Sequence, residues 1–253
     1  MNIKLVLFLV YLFQHFFIEC YSQEIGSLQL DRPDQTESVS TVPKNHFQME
    51  NGILFEHFKN EVKSSAYPTS LIKYGFTDNF EIGIIAELNT VETGTEKTTG
   101  INPITLRIKE KITEEKGLLP SISFIGYLAI PDLASKDFKS TYYAPAFRFT
   151  LQNTLSDKLT LGYNLGAEWD GFSAEPVFVY TLALGFSVSE KTGVYGELYG
   201  YAPQLSKAEH RIDGGITYLL KSNIIFDVSG GTGISNSSLL YYWSLGFSFR
   251  LKD

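Results

Sequence analysis

The end of the chain alternates between two kinds of position with a period of two. One parity is apolar or aromatic throughout, whereas the other is mostly small or polar and ends on one long cation. The first set comprises Leu239, Tyr241, Trp243, Leu245, Phe247, Phe249 and Leu251, and the second Leu240, Tyr242, Ser244, Gly246, Ser248 and Arg250. A period of two predicts a β-strand. Because small residues suit a crowded interior better than an open surface, this strand is typical of a membrane β-barrel.

The alternation recurs along most of the chain. Residues 159–169, for example, place Leu161, Tyr163 and Leu165 on one face, with Gly162 and Asn164 on the other. Soluble β-sandwiches also alternate, so they remain the alternative on this pattern alone. We predict twelve strands, near residues 46–58, 67–77, 80–89, 102–113, 118–130, 142–154, 158–169, 175–188, 192–202, 209–220, 223–234 and 238–251.

Short and long connections alternate between these strands. Tight polar links, such as Ser156-Asp157 and Ser189-Glu190-Lys191, alternate with longer ones at 59–66, 90–101 and 131–141. Bacterial barrels have an even number of strands, short periplasmic turns and longer outer loops. The fold class predicted is therefore all-β, a transmembrane antiparallel up-and-down barrel of about 12 strands.

The amino terminus predicts export. Lys4 precedes an almost wholly apolar run over residues 5–17, and Cys20-Tyr21-Ser22 supplies small residues where a signal peptidase cleaves. The run is shorter than the about 20 residues that a transmembrane helix needs. We therefore predict a signal peptide (residues 1–22), a periplasmic leader or small plug segment (23–45) and an outer-membrane barrel (46–253). Cleavage at this site removes the chain's single cysteine.

Composition narrows the class of partner. The chain is 43% hydrophobic and 14% aromatic, but no stretch after the signal is apolar enough to cross a bilayer as a helix, which favours a closed barrel in lipid. The net charge of −7 argues against a nucleic-acid partner. The partners expected are the outer-membrane bilayer, the barrel-assembly machinery during insertion, and an unidentified small solute, with no cofactor.

The assigned faces place many charges in the lumen. They have a structural interpretation, in which ion pairs fill a narrow barrel, and a functional one, in which a polar conduit orients a solute. The cations at alternate positions, Arg107, Lys109 and Lys111, are expected to attract an anionic solute or to pair with Glu81 and Glu87. The candidates for the solute path are Arg107, Lys109, Lys111, Arg148, Glu168, Tyr195, Glu197, Tyr199, Arg211, Asp213 and Arg250.

Catalytic and metal-binding motifs are not found in the sequence. The histidines after the signal stand in His46-Phe47-Gln48, His57-Phe58-Lys59 and His210-Arg211-Ile212, none with the serine that barrel lipid hydrolases place two residues after the catalytic histidine. The acidic stretch 31–37 lacks the spacing of a calcium-binding loop. We therefore predict no catalytic, cofactor-binding or metal-binding residues, although a triad assembled from distant strands stays open.

The leader and the first strand carry a family resemblance. The segments Asp31-Arg32-Pro33-Asp34-Gln35-Thr36-Glu37-Ser38, Val42-Pro43 and the Gln-x-Glu-x-Gly motif of residues 48–52 resemble the opening of outer-membrane barrels grouped as the "Putative MetA-pathway of phenol degradation" family. Many of its Bacteroidetes members are described as transporters. Lys44-Asn45 departs from the glycine expected before the first strand.

The resemblance implies an outer-membrane barrel linked to uptake of small, hydrophobic or aromatic solutes, and it assigns no catalytic residues. The leader is interpreted either as a plug within the lumen, through Asp31, Arg32, Asp34 and Glu37, or as a flexible periplasmic tail. The function predicted is a channel or facilitator. A structural or adhesive barrel with a closed, ion-paired lumen is the alternative, and a lipid hydrolase is a more remote one.

Overall fold

The computed structural model describes residues 28–252, so the predicted signal peptide lies outside the described residues. This part of the chain is almost entirely β-structure. Its strands are β1 (His46–Phe58), β2 (Val62–Gly75), β3 (Phe80–Thr93), β4 (Glu96–Ile101), β5 (Ile104–Thr113), β6 (Ser121–Ile130), β7 (Ala144–Ser156), β8 (Leu159–Glu168), β9 (Val177–Ser187), β10 (Thr192–Pro203), β11 (Glu209–Lys221), β12 (Ile224–Ser235) and β13 (Leu239–Lys252). Short 3-10 turns span Lys59–Glu61, Pro131–Leu133 and Lys136–Phe138.

Twelve of these strands form a closed antiparallel barrel. Each pairs with its neighbours in sequence order, and β1 closes the barrel by pairing with β13, from His46 opposite Lys252 to Phe58 opposite Leu239. The remaining strand, β4, pairs with the outer half of β3, from Leu88 to Thr93. The predicted fold class is thus confirmed, with one strand added outside the barrel wall. Among residues 28–252, no helix has the length and apolar character needed to cross a membrane.

Three of the predicted strand boundaries are wrong. Residues 90–101 were expected to be a loop, but they form a hairpin that extends β3 into β4. Residues 62–66 belong to β2 and not to a loop, whereas residues 118–120 precede β6. The two segments that were expected to be loops, 62–66 and 90–101, are rich in Thr, Glu, Lys and Ser. Polar strands that project beyond a membrane have no apolar face to reveal them in the sequence.

The alternation of the last strand is interrupted at its start. Leu239 is buried while Leu240 and Tyr241 are both exposed, because the register with β1 shifts between His57 and Phe58. Such a bulge adds one residue to one strand and reverses the facing of what precedes it. The prediction that Leu239 shares a face with Tyr241 is therefore wrong, and the two faces hold from Tyr241 to Leu251.

The barrel is inverted relative to a soluble protein. Large apolar side chains such as Leu182, Leu245 and Phe226 are exposed on the outside, whereas Arg107 and Lys109 are almost completely buried. An apolar exterior around a polar interior is the arrangement that a lipid bilayer requires.

The two ends of the barrel differ in the length of their connections. The turn end carries the short connections at 76–79, 157–158 and 222–223, and the loop end carries the longer ones at 131–143 and 169–176.

Candidate functional site

The leader runs inside the barrel. Residues 28–45 enter from the turn end, where the Asn45 amide donates to the Gly75 carbonyl at 2.9 Å. They then reach side chains on opposite walls of the barrel. Thr36, for instance, donates to Glu197 on β10 at 2.5 Å, whereas the Val39 carbonyl accepts from Ser123 on β6 at 2.6 Å. Contacts on opposite walls require that the leader crosses the lumen.

Asp31 is the centre of a buried ion-pair cluster. Its carboxylate oxygens lie 2.8 Å from Lys73 Nζ, 2.8 Å from Arg107 Nη2 and 2.7 Å from Lys109 Nζ. These cations project inward from β2 and β5 at alternate positions, where a pleated strand places every second side chain on one face. Burial by itself raises the pKa of Asp31, but the three cations prevail and hold it well below its ordinary value.

The Gln-x-Glu-x-Gly motif of β1 is where the leader docks. Gln48 Nε2 donates to the Gln29 carbonyl at 2.8 Å, and the Glu50 carboxylate accepts from the amides of Asp31 and Arg32 at 3.0 and 3.1 Å. Gly52 leaves the space that the Arg32 guanidinium occupies. Two of the three segments that carry the family resemblance, the leader motif and the Gln-x-Glu-x-Gly motif, therefore contact each other.

Arg32 contacts a different part of the lumen. There, buried carboxylates of three adjacent strands form an acidic wall, which comprises Glu197, Asp213 and Asp227. Its Nη2 donates to Ser244 Oγ at 2.7 Å and to Asp227 Oδ1 at 3.3 Å, and its Nη1 donates to Thr69 Oγ1 at 3.3 Å. The leader thus presents acids to the basic side of the lumen and a cation to the acidic side, which fixes its orientation.

We predict that Gly52→Ala weakens the docking of the leader without weakening the barrel. A Cβ at this position would lie 2.4 Å from Arg32 Cζ, so the guanidinium must move away from its partners. The lost hydrogen bonds to a charged group correspond to about 1.5–3 kcal/mol of docking free energy. Docking is measured by maleimide labelling of a single cysteine at Val39, which is 5% exposed, in a chain that lacks residues 1–22.

The matched control for this substitution is Gly196→Ala on β10. A Cβ at Gly196 has nothing within 4 Å, so this variant reports only the effect of alanine in a strand. Faster labelling is expected for Gly52→Ala alone, with the same urea midpoint for both barrels. Equal labelling rates would contradict the prediction.

The segment 34–37 lies across the middle of the lumen. The Gln35 amide donates to Glu197 Oε2 at 2.8 Å, and the Glu37 carboxylate lies 2.8 Å from Arg107 Nη2 and 3.4 Å from Arg148 Nη1. Asp34 faces two carboxylates, Glu197 and Asp213. Burial, followed by the charge of Glu197, raises the pKa of Asp34 well above its ordinary value.

Two cavities lie on opposite sides of this segment. The loop-end cavity has a volume of about 520 Å³, and the turn-end cavity one of about 320 Å³. The first is lined by residues near the loops, such as Glu87 and Trp169, and the second by residues near the turns, such as Lys191 and Thr217. Asp34 lines both. The leader therefore divides the lumen at Asp34.

The remaining candidate residues fall into three groups. Arg107, Arg148 and Glu168 line the loop-end cavity, and Tyr195 lines the turn-end cavity. Tyr199, Arg211 and Asp213 lie along the acidic wall, where Arg211 pairs with Glu209 at 2.9 Å and Asp213 accepts from Tyr242 at 2.5 Å. Lys109 reaches Asp31, Lys111 pairs with Glu114 in the adjoining turn at 2.5 Å, and Arg250 lies opposite Gln48 in the β1–β13 register.

The column of cations differs in part from its expected pairing. Arg107 does pair with Glu81, at 2.5 Å, but Glu87 accepts instead from Asn102 Nδ2 at 2.9 Å. Asp31 of the leader takes the place expected for Glu87. Tyr127 and Ser244 were missed by sequence reasoning, because a neutral side chain on an inward face carries no signal of the segment that it will contact. Thr36 was noted only as part of the leader motif, without its partner.

The three histidines of the described residues make separate contacts. His46 Nδ1 lies 2.8 Å from the Lys44 carbonyl, His57 stacks on Tyr241, and His210 hydrogen-bonds Tyr180. Within residues 28–252, none of them hydrogen-bonds a serine. No group of three or more His, Cys, Asp or Glu side chains in this range is arranged to hold a metal ion.

Solved structures with a similar fold include outer-membrane channels and porins. The COG4313 outer membrane channel from Pseudomonas putida F1 superposes with a TM-score of 0.68 at 10% identity, covering 84% of this chain and 98% of the other. The NanC porin gives a TM-score of 0.55 at 11% identity, covering 81% and 100%. The KdgM porin gives 0.55 at 10% identity, covering 80% and 98%. At such low identities, these superpositions show a shared fold alone. Comparison with curated proteins finds no match.

The family comparison covers nearly all of the described chain. The sequence profile described as "Putative MetA-pathway of phenol degradation" matches residues 30–251, from the leader to the closing strand. That range contains both the Asp31–Ser38 segment and the strand on which it docks. The chain therefore belongs to the "Putative MetA-pathway of phenol degradation" family.

Proposed function

We propose that this protein is an outer-membrane channel for small solutes, occluded at mid-barrel by its own leader. The observation that carries the proposal is the pair of cavities on opposite sides of residues 34–37, with Asp34 in the wall of both. Displacement of this segment would bring the loop-end cavity and the turn-end cavity closer to a continuous path for a solute. The channels and porins that share the fold support the same interpretation.

The orientation and route of export follow from the same proposal. The longer loops face the outside and the short turns face the periplasm, as in other bacterial barrels. Residues 1–22 act as a cleaved export signal, and the barrel-assembly machinery inserts the barrel into the bilayer. The separate contacts of His46, His57 and His210 support a transport role over a hydrolytic one.

The proposal is tested by solute entry into liposomes that contain the mature chain. Solutes small enough for a cavity of about 520 Å³ are expected to enter faster than into protein-free liposomes, whereas oligosaccharides too large for that cavity are expected to stay outside. Entry of both sizes at equal rates would indicate an open general porin. No entry of either, with or without the leader, would overturn the channel proposal.

A second function is favoured by one observation. Charged side chains of the wall also pair with one another, Arg107 with Glu81 and Lys73 with Glu50, both at 2.5 Å, as expected of a structural or adhesive barrel that stays closed. The two functions differ in what happens when the leader is removed. A channel then conducts, whereas a barrel closed by its wall side chains stays silent.

A further inference from the structure

Glu37 is held by a set of donors that would suit any carboxylate. Its Oε2 lies 2.8 Å from Arg107 Nη2, and its Oε1 accepts from the Tyr127 hydroxyl and lies 3.4 Å from Arg148 Nη1. Two guanidinium groups and a phenol form a charge-assisted, directional site for a carboxylate. All four side chains line the loop-end cavity, so the site is reached from the loops.

The two guanidinium groups have partners other than Glu37. The completely buried side chain of Arg107 is also held by Asp31 at 2.8 Å and by Glu81 at 2.5 Å. Arg148 contacts the Gln35 carbonyl at 3.2 Å and Glu168 at 3.6 Å. Binding is strongest when the receptor groups are ordered in advance, because little conformational entropy is then lost. Another carboxylate that replaced Glu37 would therefore meet donors already in place.

The rest of the cavity restricts what can carry that carboxylate. Apolar groups make up much of its wall, among them Leu71, Ile85, Ala129 and Trp169. These favour an apolar or aromatic body. Glu87 and Glu168 also line the cavity, and their charges oppose a second negative charge on the solute. One negative charge and an apolar body are the combination that this cavity accepts.

We propose that Arg107, Arg148 and Tyr127 form a binding site for the carboxylate of small apolar monocarboxylic acids, for which the leader's Glu37 is the internal competitor. The solute's carboxylate takes the place of the Glu37 side chain. Because Glu37 is one of the leader's contacts with the wall, occupancy of the site favours release of segment 34–37. This inference rests on the proposed channel for its physiological meaning, but the binding itself does not require transport.

The test is calorimetric titration of the detergent-solubilised mature chain with benzoate. Benzamide, which has the same shape without the charge, and phthalate, which has a second carboxylate, are the comparison ligands. Benzamide loses the charge-assisted contact, which corresponds to about tenfold in affinity, and is therefore expected to bind about tenfold or more weakly than benzoate. Phthalate is also expected to bind more weakly than benzoate, because Glu87 and Glu168 repel its second carboxylate. Equal affinity for benzoate and benzamide would overturn the proposal.

Two variants locate the site. Arg148→Gln is expected to weaken benzoate binding about tenfold, whereas Glu37→Gln is expected to strengthen it, because the competing charge is gone. The matched control is Lys97→Gln, which removes an exposed cation of β4 that does not line the cavity. Weaker binding by Glu37→Gln would contradict the proposal that Glu37 competes with the solute. The Glu37→Gln measurement decides this point even if Arg148→Gln fails to fold.

The outcomes separate this inference from the proposed function. Benzoate binding by a barrel that never conducts would keep the site and overturn the channel. Solute entry into liposomes without any preference for benzoate over benzamide would keep the channel and overturn the site.

Discussion

A chain that lacks residues 28–41 is expected to conduct ions steadily in a planar bilayer, whereas the complete mature chain stays mostly closed. The leader fills the middle of the barrel, between the cavities of about 520 and 320 Å³. Removal of the leader is expected to join the two cavities into one polar path through the barrel. The inner wall keeps charged side chains from both halves of the barrel, such as Arg148 and Glu197, and these would be solvated by the water that replaces the leader.

The control for this deletion is the leader itself, supplied as a peptide. A synthetic peptide of residues 28–45 added to the turn side is expected to reduce the conductance of the truncated barrel, since its docking contacts lie within those residues. A peptide in which Asp31 and Arg32 are both replaced by alanine should have little effect. Equal conductance with and without the leader would show that the leader does not close the path.

The substitution Asp31→Asn is expected to release the leader from the barrel wall. Asp31 is the shared partner of Lys73, Arg107 and Lys109, all of which are buried. An amide fills the same space but carries no charge, so the three cations lose a common anion. Removing one partner of a buried ion pair destabilises by about 3–5 kcal/mol, which corresponds to roughly a hundredfold or more in the docking equilibrium.

This release is measured with the single cysteine at Val39. The rate of maleimide labelling is expected to rise in Asp31→Asn, together with the conductance of the barrel. Asp132→Asn is the matched control, because its carboxylate pairs with Lys139 on the surface, and exposed ion pairs contribute at most about 1 kcal/mol. Unchanged labelling of Asp31→Asn would show that the other contacts of the leader, such as those to Glu50 and Glu197, hold it without the charge of Asp31.

The fold was predictable because it depends on a local pattern. Alternation such as that of Leu161, Gly162 and Tyr163 reports which side of the wall a residue faces, and its repetition yields twelve barrel strands. The same logic failed where the strand leaves the membrane. Residues 90–101 are polar on both faces, and the bulge beside Phe58 shifts Leu239 to the other side.

The candidate site was predictable only as a list of charges. Arg107, Lys109 and Arg148 were placed on the inner face by parity, and Asp31, Arg32 and Glu37 stood out as a motif. Which of them meet was not apparent, because Asp31 and Lys109 are separated by 78 positions along the chain.

Alternation along the strands was enough to predict a closed barrel with an apolar exterior and a charged lumen, because the parity of each position gives the face of the strand on which its side chain lies. The folded barrel was needed to show that the leader lies between the acidic and basic walls, that the Gln-x-Glu-x-Gly motif contacts it, and that Glu37 contacts Arg107, Arg148 and Tyr127. These contacts join segments that are distant in sequence and are brought together by barrel closure. Electrostatic partners are fixed by distance in space, which no local periodicity encodes.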